Sequence, residues 1–233
     1  MRIQYVSDLH LDRPENKREF LRRFKVTGDI LVIAGDFATL NTLSKYDDII
    51  DLLSSSYKHV VIVPGNHDFY SSHQFEADKP INIELRKNVQ VCNLQSIEVE
   101  GIKLVCATLW SNIKPNQRIT AQIFGNDYRY ITYKNRMLTS NDACELHKLH
   151  VDFLKKNITS DSIVVTHHSP VVYGPRSQLS SCFMTNLGRL PRPKAWIFGH
   201  THVPYADSDN YVSNPLGYMY EFETYNPEAV FTI

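Results

Sequence analysis

The sequence predicts an α/β protein, a mixed two-sheet sandwich with helices on the outside. Apolar, β-branched runs of strand length recur along the chain, helical patterns with apolar stripes separate the early ones, and hairpin patterns come later. The 233 residues are 42 % hydrophobic, enough to enclose a substantial core. No repeat, low-complexity tract or Pro/Gly-rich linker divides the chain, so a single domain over residues 1–233 is expected.

The first run, from Arg2 to Val6, leads into Asp8-Leu9-His10. Pro14, followed by Glu15, Glu19 and apolar Phe20, Leu21 and Phe24, opens a helix. Ile30–Ala34 is a strand ending in Gly35-Asp36, and residues 41–56 read as helix with Leu43, Tyr46, Ile49, Ile50 and Leu53 at core spacing. Val60–Val63 ends in Gly65-Asn66-His67-Asp68. Val89–Cys92, Ile97–Val99 and, beyond Glu100-Gly101, Ile102–Leu109 predict a hairpin that starts the second sheet. Residues 140–156 form the clearest helix, capped by Ser140 or Asn141, with Cys144, Leu146, Leu149, Phe153 and Leu154 as its stripe. His147 and His150 within it read as surface or packing residues. Ile163–Thr166 ends in His167-His168, and Ala195–Phe198 in Gly199-His200-Thr201-His202. Tyr211–Val212, Tyr218–Phe222 and Val230–Thr232 are expected to finish the second sheet.

Strands with such unbroken apolar runs are buried on both faces, and ligands of open α/β sheets gather beyond their carboxyl ends. Polar residues at five strand ends therefore converge although they are far apart in sequence. Glycines at 35, 65 and 199 let the backbone turn sharply there. Residues i and i+2 of a strand share a face, so Asp8/His10 and His200/His202 are each a candidate two-residue clamp. His167 and His168 point to opposite faces, and the alternation alone leaves open which one faces a metal. Carboxylate with imidazole suits a divalent transition metal such as manganese, iron or zinc, whereas calcium and magnesium prefer oxygen cages.

The ordered set Asp8-Leu9-His10, Gly35-Asp36, Gly65-Asn66-His67-Asp68, His167 and Gly199-His200-Thr201-His202 resembles the blocks of the calcineurin-like metallophosphoesterase superfamily over about residues 1–220. The resemblance implies a four-layer αββα fold and two divalent metal ions. Asp8, His10, Asp36 and His202 would hold one, and Asp36, Asn66, His167 and His200 the other, with Asp36 bridging. It implies phosphoester hydrolysis in which a metal-bound hydroxide attacks phosphorus and His67 protonates the leaving oxygen. Of the pair His167-His168, it assigns the first as ligand. Asn66 and His67 would also touch the phosphate. One position departs from the family: the last Asp of the GDxxD block, which orients the catalytic His, is Thr39 here.

Residues 124–136 mix tyrosines with Arg129, Lys134 and Arg136, which makes Arg129 a candidate substrate contact. Tyr173–Cys182, rich in serine, should overhang the metals. Lys+Arg and Asp+Glu balance at 25 each, and no basic stripe is present, which argues against nucleic acid and therefore against a nuclease. A non-catalytic scaffold of the same fold is disfavoured because every ligand position is filled. The expected substrate is a phosphorylated small molecule or phosphoprotein. No apolar run approaches the roughly 20 residues that cross a bilayer. Four scattered cysteines without a CxxC pair suit a reducing, cytoplasmic setting.

Overall fold

The computed structural model describes residues 1–174 and 177–233; Pro175 and Arg176, in the Ser-rich stretch, lie outside the described residues. The strands are β1 (Arg2–Val6), β2 (Ile30–Ala34), β3 (His59–Val63), β4 (Ile81–Arg86), β5 (Val89–Asn93), β6 (Gln95–Val99) and β7 (Ile102–Ala107), then β8 (Thr132–Tyr133), β9 (Arg136–Met137), β10 (Ile163–Thr166), β11 (Ala195–Phe198), β12 (Tyr205–Ala206), β13 (Tyr211–Ser213) and β14 (Val230–Thr232). The helices are α1 (Pro14–Arg23), α2 (Asp47–Ser56), α3 (Arg118–Phe124), α4 (Asp127–Tyr130) and α5 (Ser140–Asn157). One six-stranded sheet runs β14-β1-β2-β3-β5-β4 and the other β12-β13-β11-β10-β7-β6. In each, four parallel strands form the middle and an antiparallel strand closes either edge.

Side-chain alternation builds the layers. Ile30, Val32 and Ala34 of β2 pack against Ile163 and Val165 of β10 and Ala195 and Ile197 of β11 between the sheets. Leu31 and Ile33 face the other way, onto Phe20 of α1 and Ile49, Ile50 and Leu53 of α2. On the far side, Val164, Trp196 and Phe198 meet Leu154 of α5. The result is the αββα sandwich expected from the sequence.

Several expectations need correction. Val89–Cys92 lies in the first sheet, as β5, parallel to β3; the hairpin that starts the second sheet is β6–β7. Only Leu94, with φ 52°, separates β5 from β6, so the chain changes sheets within one residue. Val230–Thr232 pairs with β1 and also belongs to the first sheet. The half-exposed strand Ile81–Arg86 was not anticipated. Tyr218–Phe222 is not a strand: Gly217 has φ +71°, and the Tyr218 N–H donates to the Glu221 carboxylate at 2.7 Å, which curls the segment into a turn. The helix expected over 41–56 begins as a 3-10 segment, Leu40–Tyr46, before α2.

The cap of α5 is Thr139 rather than Ser140 or Asn141. Its hydroxyl accepts from Asp142 N–H at 3.2 Å, while the Asp142 carboxylate accepts from Thr139 N–H at 2.8 Å. His147 and His150 are buried packing residues. His150 Nε2–H donates to the Ala77 carbonyl at 2.9 Å, and its Nδ1 accepts from Leu109 N–H at 3.1 Å. The two bonds pin the loop before β4 and the chain leaving β7 to α5.

Candidate metal centre

The carboxyl ends of β1, β2, β3, β10 and β11 meet at one edge of the sandwich. Asp8, His10, Asp36, His200 and His202 all leave their strands in the left-handed region, with φ of 55°, 44°, 55°, 70° and 55°. Such conformations cost on the order of 1–3 kcal/mol each and collect at functional sites. They also correct the expected clamp: Asp8/His10 and His200/His202 converge through tight turns, and strand pleating has no part in it. Two glycines make the approach possible. A Cβ on Gly65 would fall 2.1 Å from Asp36 Oδ1, and one on Gly35 would fall 2.0 Å from His167 Nδ1.

Asp36 is the centre of the cluster. Its Oδ2 lies 3.6 Å from His10 Nε2 on one side and 3.4 Å from His167 Nε2 on the other. On the His10 side, His202 Nε2 is 3.2 Å from His10 Nε2 and 3.3 Å from Asp8 Oδ1. On the His167 side, Asn66 Oδ1 is 2.9 Å and His200 Nδ1 is 3.1 Å from His167 Nε2. Asp8, His10, Asp36, Asn66 and His167 are buried, and His200 and His202 are half-buried. All seven residues named as ligands from the sequence are thus brought together.

Hydrogen bonds at the rear set the orientation of the imidazoles. His167 donates Nδ1–H to the Ala34 carbonyl at 3.0 Å, and His202 donates Nδ1–H to Glu221 at 2.8 Å. Both partners are pure acceptors, so each ring turns Nε2 into the cluster. Asn66 Oδ1, His167 Nε2 and His200 Nδ1 then face one another, and once the proton on His167 Nε2 is displaced they offer three lone pairs to one cation. Three groups of carboxylate and imidazole atoms reach metal-binding proximity: Asp8, His10 and His202; Asp8, Asp36 and His167; and His10, Asp36 and His67.

Charge supports the same reading. Burial alone would raise both carboxyls, yet His202 holds Asp8 down at about 2, and His167, His67 and His10 hold Asp36 well below the usual range. Burial would lower His167 and His202, but Asp36 and Asp8 raise them to about 9 and about 10. Burial pushes His10 down to about 4 and His200 to about 3. Two buried carboxylates are therefore balanced by two protonated imidazoles, whose protons a pair of divalent ions would displace.

His67 stands where the cluster opens to a cavity of about 480 Å³. Its N–H donates to Asp36 Oδ1 at 2.9 Å, and its ring lies edge-on to His10 at 4.7 Å. Asp68 does not orient it. The Asp68 carboxylate instead accepts from the Asp36 and Gly65 N–H groups at 3.0 and 2.7 Å and shapes the turn. Arg129 does not reach the cavity: its exposed guanidinium donates to the Ile123 carbonyl at 2.7 Å, because α4 turns it outward. Sequence reasoning missed Glu221 behind His202, Tyr218 stacked on His10 at 5.0 Å, and Tyr70 stacked on His67 at 4.3 Å. No motif marks them; the stretches at 124–136 and Tyr173–Cys182 pointed near the pocket wall, which Phe124, Tyr128, Tyr173 and Leu179 line.

The strand alternation carries through at His167-His168. His167 enters the cluster, whereas His168 sits behind it, with Nδ1–H toward the Thr108 carbonyl at 3.3 Å and its ring centroid 4.0 Å from that of His200, the two planes tilted by 37°. His167→Ala should therefore lose one of two bound metals and His168→Ala should keep both. Metal content per chain by atomic emission decides between them, and the reverse pattern would exchange their roles.

Residues 1–204 match the family model described as calcineurin-like phosphoesterase. Over 99 % of this chain and 96 % of its own length, an uncharacterized protein of Acanthamoeba polyphaga mimivirus is 28 % identical. A probable cyclic nucleotide phosphodiesterase of Ruthia magnifica subsp. Calyptogena magnifica is 23 % identical over 84 % of this chain and 76 % of its own. No helix among the described residues is long and apolar enough to cross a membrane. By its sequence blocks, its sandwich of two sheets and the matching family model, the chain belongs to the calcineurin-like phosphoesterase family, whose members use divalent metals.

Proposed function

We propose that residues 1–233 act as one domain, a dinuclear metal-dependent phosphoesterase. Asp8, His10, Asp36 and His202 hold one ion of manganese, iron or zinc, and Asp36, Asn66, His167 and His200 hold the second. The observation that carries this reading is the single carboxylate oxygen of Asp36 between His10 Nε2 and His167 Nε2. When bound, such a metal pair polarises a phosphoryl oxygen and lowers the pKa of water toward neutrality.

The chain's own residues supply the rest. Asn66 and His67 border both the metal cluster and the cavity, where they meet the phosphate, and His67 gives a proton to the leaving oxygen. Phe124, Tyr128, Leu179, Phe183 and Met184 wall the cavity with apolar surface. Its size suits a small organic group rather than a protein surface. Among the described residues lining it there is no Lys or Arg. The name of the Ruthia relative favours a phosphodiester as the substrate. The four cysteines, all free, agree with a reducing cytoplasmic setting.

The test is a panel of esters on chelator-stripped, metal-reconstituted protein. Turnover of bis-nitrophenyl phosphate should depend on added metal and exceed that of nitrophenyl phosphate. Two bound metals without turnover of either ester would leave the non-catalytic scaffold as the better description.

A further inference from the structure

The position that orients the catalytic imidazole in the family is Thr39 here, and neither Thr39 nor Asp68 bonds to the His67 ring. A different carboxylate stands beside it. Asp127 Oδ1 accepts from Asn66 Nδ2–H at 2.7 Å and from the Tyr70 hydroxyl, also at 2.7 Å. Tyr70 in turn stacks on His67 with ring centroids 4.3 Å apart, its hydroxyl 3.5 Å from His67 Nε2. The two segments are joined by backbone as well: Tyr70 and Ile131 form a β-bridge, and Ser71 N–H donates to the Tyr130 carbonyl at 2.8 Å.

We propose that Asp127 is a positioning residue that sets Asn66 directly and His67 through Tyr70. This rests on the phosphoesterase reading for the part concerning His67. The chemistry is in the hydrogen-bond inventory. A side-chain amide has one end that donates and one that accepts, and a carboxylate accepts only. Asp127 therefore captures the NH₂ of Asn66 and turns its oxygen toward His167 Nε2, 2.9 Å away, where the second metal is held. Without that acceptor the amide can flip and present N–H groups to the cation. The same oxygen takes the Tyr70 proton, which fixes the phenol ring against His67 and leaves the hydroxyl oxygen free to accept from the imidazole. One carboxylate outside every family block thus serves a metal ligand and the acid together.

Asp127→Ala should bind the second metal equivalent roughly 10–100-fold more weakly, the usual effect of removing a partner behind a ligand. The measurement is calorimetric titration of chelator-stripped protein with manganese, which needs no turnover. Asp127→Asn should recover most of the affinity, since its carbonyl oxygen can accept both bonds. Tyr70→Phe should bind both metals like wild type and keep KM, yet lose kcat, more for an alkyl ester than for a nitrophenyl ester. Wild-type affinity in Asp127→Ala, or an Asp127→Asn variant as weak as Asp127→Ala, would overturn the proposal. If Asp127→Ala does not fold, Tyr70→Phe decides: an unchanged kcat, or an equal loss on both esters, overturns it. A wild type that binds metal and hydrolyses nothing defeats the phosphoesterase reading, while the titrations still judge Asp127 and Asn66.

Discussion

Asp36→Asn is expected to empty both metal positions at once. The side chain is 1 % exposed and faces His10 and His167 with one oxygen and His67 N–H with the other. An amide fits the same space, but its oxygen is the only part able to accept from the His67 N–H. The NH₂ end then turns toward His10 Nε2 and His167 Nε2, a pair of donors where the cations belong. Removing one partner from a buried charged pair costs about 3–5 kcal/mol, or roughly 10²–10⁴-fold in affinity. Metal content after desalting should fall far below that of wild type. Two retained ions per chain would remove Asp36 from the bridging position.

His67→Ala is expected to do the opposite, keeping both metals while slowing turnover by roughly 10²–10⁴, the range of a general acid. Its ring contributes no ligand to the proposed set, and the Asp36 contact is made by its backbone N–H, which alanine retains. The loss should shrink for a nitrophenolate leaving group, which departs without a proton. Kinetics on matched alkyl and nitrophenyl esters separate the roles: an equal loss on both would make His67 a phosphate-binding group.

The strand ends were readable because each couples an apolar run to residues that a soluble core has no use for, as in Val60–Val63 followed by Gly65-Asn66-His67. That pattern is local, and every residue it nominated as a ligand lies in the cluster. What was not legible depends on partners distant in sequence. Asp127 meets Asn66 only because the chain at Ile131 bridges to Tyr70. Glu221 reaches His202 only because Gly217 turns the segment over the site, where alternation had implied a strand. The misplacement of Val89–Cys92 has the same origin: apolar alternation marks a strand, but its sheet is chosen by β3 and by the turn at Leu94. Arg129 was drawn in by its aromatic neighbours, whereas the backbone of α4 points it to the Ile123 carbonyl.

Anomalous diffraction from crystals grown with manganese tests the two-metal site most directly. The account predicts two peaks at the edge of the sandwich, one among Asp8, His10, Asp36 and His202 and the other among Asp36, Asn66, His167 and His200, with the Asp36 carboxylate touching both. A single peak, or a second one coordinated by His67 or His168 in place of His167, would contradict it.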